Sequence, residues 1–425
     1  MIQVLSSAWA LLLGMGLLMV GNGLQGTLLG VRGEIEGFST LQMSFVMSAY
    51  FVGFLGGSRL APEMIRRVGH VRVFAALASF ISAVMIMYPM MTNPIAWVLG
   101  RVIIGFCFSG VYVTAESWLN NAANNENRGQ ALSLYMIVQM SGIIGAQALF
   151  LVGDPAGYET FVIASILVSV SFAPILLSIS PTPAFDTTKP MTLRELMNKS
   201  PLGCVGLFLL GGVFSAQFGM SAVYGAQAGL SLVEISIFVA AFYIGAVVLQ
   251  YPLGWFSDRM DRRLLILLVS ASGAVASLSG MLYGVTFEIL LVSAFFIGGM
   301  SNPLYSLLIA HTNDFLDHED MAAASGGLVF INGLGAIAGP LITGWLMGKA
   351  VFGPPGFFLI IAVLLFFLAV YAAYRMTQRA AIPVDETGTM SPMYPTASPV
   401  ALEVAQEVAI EAAEAEVEEA AQETA

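Results

Sequence analysis

The segment Phe38–Val46, FSTLQMSFV, returns as Leu230–Phe238, LSLVEISIF, at an offset of 230 − 38, or 192, positions. Ser39 matches Ser231, Ser44 matches Ser236, and Gln42 stands opposite Glu234. The same offset carries Gln25 onto Gln217, Gly33 onto Gly225 and Gly37 onto Gly229, and with two residues of slippage Gly105 falls on Gly299. Such an echo across two apolar halves predicts a duplicated membrane bundle with a path between the halves. A soluble fold is excluded by 57% hydrophobic and 10% charged residues and a mean hydropathy of +0.83.

About twelve stretches of helix-spanning length follow one another, centred near Met15, Val52, Val84, Phe106, Val138, Leu167, Phe214, Ala246, Ala274, Phe296, Leu334 and Phe366. The expected fold is an all-α integral membrane protein: twelve transmembrane helices in two six-helix bundles related by a pseudo-two-fold axis. Residues 1–180 form the first bundle and 202–378 the second. The linker 181–201 is marked by Pro181, Pro183, Pro190 and Pro201. The net charge of −11 belongs to the end of the chain, where ten acids follow Arg379 without a base, leaving 16 basic against 17 acidic residues elsewhere. Residues 379–425 therefore read as an acidic tail, disordered over Pro383–Pro399 and loosely helical and solvated beyond. Thirteen of the 16 Lys and Arg residues fall on one side of this topology, which places that side and both termini in the cytoplasm. The first apolar run lacks the pattern of a cleavable signal and is expected to remain as helix one.

The loop after the eighth span reads Gly254-Trp-Phe-Ser-Asp258-Arg259-Met-Asp261-Arg262-Arg263. A carboxylate beside a helix end can hold arginines and a neighbouring helix terminus, and such a cluster latches two bundles together on one side. The first-half counterpart, Pro62-Glu-Met-Ile-Arg66-Arg67-Val-Gly69-His-Val-Arg72, has Arg66 where the second half has Asp258. Its negative partner must therefore come from Glu63 or Glu116. The fourth span carries Arg101-Val-Ile-Ile-Gly105, where the guanidinium needs a partner, a wet cavity or a route to the interface. No catalytic constellation, nucleotide loop or metal spacing emerges: Cys107 and Cys204 lie inside apolar runs, and His70, His311 and His318 stand at helix ends. An enzyme, a cofactor and a nucleic-acid partner are not expected.

Gly254–Arg263 resembles the loop signature of the major facilitator superfamily, G-x-x-x-D-R-x-G-R-R, with Asp261 in place of the second glycine. Arg101–Gly105 resembles its R-x-x-x-G pattern. Ala115-Glu116-Ser117-Trp118-Leu119, Asn127-Arg128-Gly129, Asn302-Pro303-Leu304-Tyr305 and Ala310–Asp314 are similar to the YcaD-like bacterial subgroup. The resemblance implies a proton-motive or facilitated transporter in the inner membrane, and the expected function is secondary active transport of a small organic solute by alternating access, coupled to protons. It also implies that helices one, four, seven and ten line the path. Carried onto this sequence, the path candidates are Asn22, Gln25, Arg101, Tyr112, Gln217, Tyr224, Asn302 and Tyr305. The cytoplasmic gate candidates are Arg66, Arg67, Glu116, Arg128, Asp258, Arg259, Arg262 and Arg263. The sparse charge suits a drug-like or amphipathic solute. The alternatives are lipid or lysolipid flipping and a non-transporting receptor or scaffold supported by the tail.

Overall fold

The computed structural model describes residues 2–122, 128–177, 191–284, 286–348, 350–384, 387–388 and 390–408. Asn127, Lys189, Lys349, Asp385, Glu386 and the acids from Glu411 onward lie outside the described residues.

The repeated sequence builds two matching corners, one between α1 (Ala8–Ile35) and α2 (Thr40–Val68), the other between α7 (Pro201–Gln227) and α8 (Leu232–Ser257). Gly37 and Gly229 take φ of 74° and 77°, the left-handed region that a side chain resists. Each ends its helix in the same way: the N–H groups of Gly37 and Phe38 bond to Glu34 and Gly33 carbonyls, and those of Gly229 and Leu230 to Ala226 and Gly225. The next helix begins with Ser39 and Gln42, or Ser231 and Glu234, each pair capping the other's backbone N–H. The orphan amide and carbonyl groups at a membrane helix end are thus met within four residues of chain. The conservation of this segment between the halves records that local chemistry.

The remaining spans are α3 (His70–Met90), α4 (Pro94–Asn120), α5 (Arg128–Leu149), α6 (Glu159–Leu177), α9 (Arg262–Tyr283), α10 (Phe287–Asn313), α11 (Ala323–Leu346) and α12 (Gly356–Met376). Packing repeats with helix numbers raised by six: α2 lies along α4 as α8 along α10, α1 along α5 as α7 along α11, and α3 along α6 as α9 along α12. Glycine sets the closest of these approaches. A Cβ on Gly105 would stand 1.9 Å from the Tyr50 carbonyl oxygen, and one on Gly298 would stand 2.0 Å from that of Phe242. Tyr50 and Phe242 are themselves one repeat offset apart, so Gly298, not Gly299, is the structural mate of Gly105. Gly299 faces Leu249 instead.

The halves meet through α1 against α7, α2 against α11, and α5 against α8. At the end of the bundle carrying the two corners they are in direct contact. Gly30 lies under Ala222, Gly344 under Ser44, and Ser236 donates to the Gln147 carbonyl at 2.5 Å. The opposite end carries the arginine-rich turns and is called the basic end below. There the segment from residue 390 to 408 sits between the halves, with residues 399–408 helical. This corrects the solvated tail expected from sequence. Met393, Tyr394, Ser398, Leu402 and Ala405 are buried, and of the ten tail acids only Glu403 and Glu407 fall in this stretch. The average acidity of the tail conceals an apolar run of Met, Pro, Tyr, Ala and Leu that buries like a core segment.

The linker is described from residue 191. Thr192 and Glu195 cap a short helix, Leu193–Lys199, and Pro201 opens α7.

Candidate functional site

Asn22 and Gln25 stand three residues apart on one face of α1, and Arg101 and Tyr112 project from α4 toward them. The four join in one chain. Arg101 Nη1 donates to Gln25 Oε1 at 3.0 Å, Gln25 Nε2 to Asn22 Oδ1 at 3.2 Å, and Asn22 Nδ2 to the Tyr112 hydroxyl at 3.2 Å. Arg101 is fully buried, so it does not snorkel to the interface. Its guanidinium also faces Met47 Sδ at 3.5 Å and lies 4.8 Å from the centre of the Tyr50 ring. No carboxylate pairs with it among the described residues, and its Nε has no protein partner. A buried cation held only by an amide, a thioether and a ring is an incomplete site for negative charge.

In the second half Gln217 lies in a π-helical turn, Ala216–Met220, that interrupts α7, a local widening that often marks functional positions. Its Nε2 donates to Ser301 Oγ at 2.9 Å. Asn302 donates to the Gly298 carbonyl at 3.0 Å while its Oδ1, like the Tyr305 hydroxyl, is buried without a partner among the described residues. Tyr224 departs from the expected role. It packs into an aromatic cluster with Phe238, Phe357 and Phe358, the ring centres 5.1–5.5 Å apart, and belongs to the core of the second bundle. Selecting helices one, four, seven and ten passed over Met47 and Tyr50 on α2, which face Arg101, Tyr243 on α8, which bonds the Tyr394 side chain, and Asn332 on α11, which bonds the Pro395 carbonyl. The three-residue step from Met47 to Tyr50, toward the same face as Phe54, was the available signal for the first pair.

At the basic end the gate candidates separate into three groups. Arg66 and Arg67 are exposed and pair with Glu63 one turn before them on α2. Arg128 pairs with Glu407 of the tail at 2.6 Å. Arg262 is buried, bonded to Asp314, to the Ala310 carbonyl at 3.3 Å and to the Gly388 carbonyl. Arg263 holds Asp261 at 2.9 Å, and Arg259 lies over the Trp255 ring. Asp258 sits 3.6 Å from Arg262 and accepts the Met390 N–H at 2.8 Å. Asp261 is half-buried, yet the Arg263 bonds and charge outweigh that burial and hold its carboxyl below the ordinary value. For Asp314 burial wins over Arg262 and the carboxyl is raised. The gate assignment expected Glu116 in this arginine network, and it does not join it. It is buried on α4, where Tyr135 donates to one oxygen at 3.3 Å and the Ser398 N–H to the other at 3.0 Å.

Successive steps of the tail are held by side chains from several helices. Ser306 of α10 bonds both the N–H and the carbonyl of Met393, at 2.7 and 3.1 Å. Asn332 of α11 donates to the Pro395 carbonyl at 3.2 Å, and the Tyr394 ring meets Phe214 of α7 edge-on at 5.4 Å. Gln406 bridges Ser325 and Asn313. Thr396 lies against the Tyr112 hydroxyl, so the tail reaches the end of the Arg101 chain. Beside it a cavity of about 520 Å³ opens between α5 and α8, lined by Met136, Met140, Val247, Gln250 and Asn302, with Asp258 and Arg259 at its basic end.

Two six-helix halves with matched corners, matched glycine crossings and a charged cluster between helices eight and nine agree with a family model. The Major Facilitator Superfamily model matches residues 11–238 and 202–405. The chain belongs to the Major Facilitator Superfamily. It is 26% identical over 347 residues to the uncharacterized MFS-type transporter YcaD of Escherichia coli (strain 536), covering 79% of this chain and 88% of that one. It is 24% identical over 339 residues to YcaD of Escherichia fergusonii, with the same coverage. In three dimensions it superposes on a mutant of the nucleoside transporter NupG with a TM-score of 0.74 at 16% identity, covering 87% of this chain and 99% of that one. A bacterial homologue of the human lysosomal transporter Spinster, in an inward-facing and occupied conformation, gives 0.68 at 15% identity, with 88% and 97% covered. These superpositions carry the superfamily fold.

Proposed function

We propose that this protein is a secondary active transporter that carries a small organic anion across the bacterial inner membrane by alternating access, with its basic end in the cytoplasm. The observation that carries the reading is Arg101, a fully buried guanidinium in the proposed path wall with no carboxylate beside it among the described residues. A solute carboxylate or comparable single negative charge completes that site, while Asn22, Gln25 and Tyr112 supply the neighbouring donors and acceptors. With the basic end in the cytoplasm, the closed corner end and the parted basic end support an inward-facing state, with Asp258 and Arg262 in the latch that closes it. Glu116 is the carboxylate for proton coupling, buried near the path and bonded to neutral groups only. The test is a thermal-shift screen of the purified protein against carboxylates and sulfonates, each beside its neutral amide, followed by flux of the hits into proteoliposomes. Stabilisation by amides and anions alike rules out charge recognition by Arg101.

A second reading has its own observation. The cavity between α5 and α8 is apolar through most of its depth and charged at one rim, a shape that suits a lysolipid. Protection of a fluorescent lysolipid from an impermeant quencher in reconstituted vesicles would favour it, and unchanged leaflet exchange would remove it.

A further inference from the structure

We propose that residues 390–408 are a tethered inhibitor: the chain's own C-terminal segment binds as a peptide between the two halves and holds the transporter in one state. The opening recognises it largely through its backbone. Ser306 pairs with both main-chain groups of Met393, Asn332 takes the Pro395 carbonyl, and Glu116 takes the Ser398 N–H. Phe214 supplies the socket wall for the Tyr394 ring. Pro392, Pro395 and Pro399 restrict the backbone, Pro395 within the turn closed by the Ala397 N–H on the Tyr394 carbonyl and Pro399 at the start of the helix, and reduce the entropy lost on docking.

Two consequences follow for the latch and for the rocking motion. Asp258 is engaged by the Met390 N–H, and Arg262 by the Gly388 carbonyl, so the tail takes up groups that closure requires. Glu116 on α4 and Asn332 on α11 are parted by the segment they both bind, so the basic end closes only after the segment leaves.

The tether favours docking. Only residues 377–389 separate the end of α12 from Met390, and a short flexible link gives an effective concentration on the order of millimolar. A segment with a free dissociation constant of about 0.1 mM is then docked about nine-tenths of the time. The inhibitory role rests on the transporter reading, whereas the docking does not, and the experiment separates them.

The full chain, with Cys107→Ala and Cys204→Ala to remove its native thiols, carries Ser306→Cys as a reporter and is treated with a hydrophilic maleimide. Labelling is expected to be about tenfold slower than in the same chain carrying Tyr394→Asp and Leu402→Asp, since a nine-tenths docked tail shields the thiol. Both tail changes lie outside the bundle, and single-peak elution verifies that it is intact. A synthetic peptide of residues 388–408 is expected to restore protection to the undocked chain. Equal labelling in the two chains overturns the docking. As a second measurement, Ser306→Cys combined with Met393→Cys is expected to form a disulfide on mild oxidation, and failure to do so has the same meaning. For the inhibitory role, uptake of a solute found in the screen is expected to rise several-fold in the undocked chain. Equal uptake overturns inhibition while protection still establishes the docked peptide. Silence in both chains removes the transporter reading, and the inhibitory role with it.

Discussion

Arg101→Gln isolates the charge at the centre of the proposed path. Glutamine keeps a donor for Gln25 Oε1, so the chain through Asn22 to Tyr112 is not left with an orphaned acceptor. The substitution removes the positive charge facing the solute and its contact with the Tyr50 ring, 4.8 Å away. Arg101 is fully buried and shares its charge with no carboxylate among the described residues, so solvent screening is weak at this position. A hydrogen bond between charged groups in such a place is worth about 1.5–3 kcal/mol, or roughly a ten- to hundredfold loss of affinity. Arg101→Lys keeps the charge but loses the planar fork and is expected to fall between the two. The assay is calorimetric titration of the purified, undocked chain with an anion from the screen and with its neutral amide. Wild type should prefer the anion, and Arg101→Gln should bind both alike. An anion that binds Arg101→Gln with wild-type affinity refutes the assignment.

Three further outcomes are expected. Burial, with the Glu407 charge beside it, pushes the Glu403 carboxyl up to about 7, so the docked tail holds a proton that the free tail releases at the ordinary carboxylate value. Docking is therefore strongest below that ordinary value, weakens as pH rises toward about 7 and is flat above it. Glu403 faces Glu407, which is paired with Arg128, and labelling of the Ser306→Cys reporter should rise over that window in wild type but not in Glu403→Gln. Gly105→Ala and Gly298→Ala should each destabilise the fold by about 1–3 kcal/mol through backbone overpacking. Gly299→Ala, whose Cβ would press on the movable end of Leu249 and stand 3.0 Å from the Gly245 carbonyl oxygen, should cost less than Gly298→Ala, whose Cβ would stand 2.0 Å from a backbone oxygen; a larger loss of thermal stability for Gly299→Ala would contradict the pairing of the halves. Glu116→Gln should abolish proton-driven accumulation and retain solute exchange, and equal loss of both would assign Glu116 to closure of the basic end instead.

The corners were legible because their chemistry is local. Gly33, Gly37, Ser39 and Gln42, with their mates one repeat away, satisfy backbone groups within a few residues, so the same letters must recur wherever the same turn is built. Gly105 was legible as a repeated small residue, but its partner was misplaced by one position. Only the approach of α8 to α10 distinguishes the adjacent Gly298 and Gly299. Tyr224 looked like a path residue from its helix, and the aromatic rings that claim it come from α8 and α12, far away in the chain. The pairing of Glu116 with Ser398 joins positions 282 apart through a segment whose composition is dominated by acids further on. Nothing local encodes such a contact. Burial of the tail depends on an opening that exists only when twelve helices have been assembled around it.

If Arg101 recognises an anionic solute in an alternating-access cycle, as proposed, it also has an electrical consequence. Its charge is fixed within the span of α4, so an empty site is positive and a site loaded with a monoanion is neutral. A membrane potential acts on a moving charge with about 2.3 kcal/mol per 100 mV for a full crossing, and on a neutral site hardly at all. In a cell that is negative inside, the empty protein is therefore drawn toward the inward-facing state, while the loaded protein turns with little regard to voltage. The voltage-sensitive half of such a cycle is the return of the empty carrier, and the arginine that recognises the solute is the charge that senses the field.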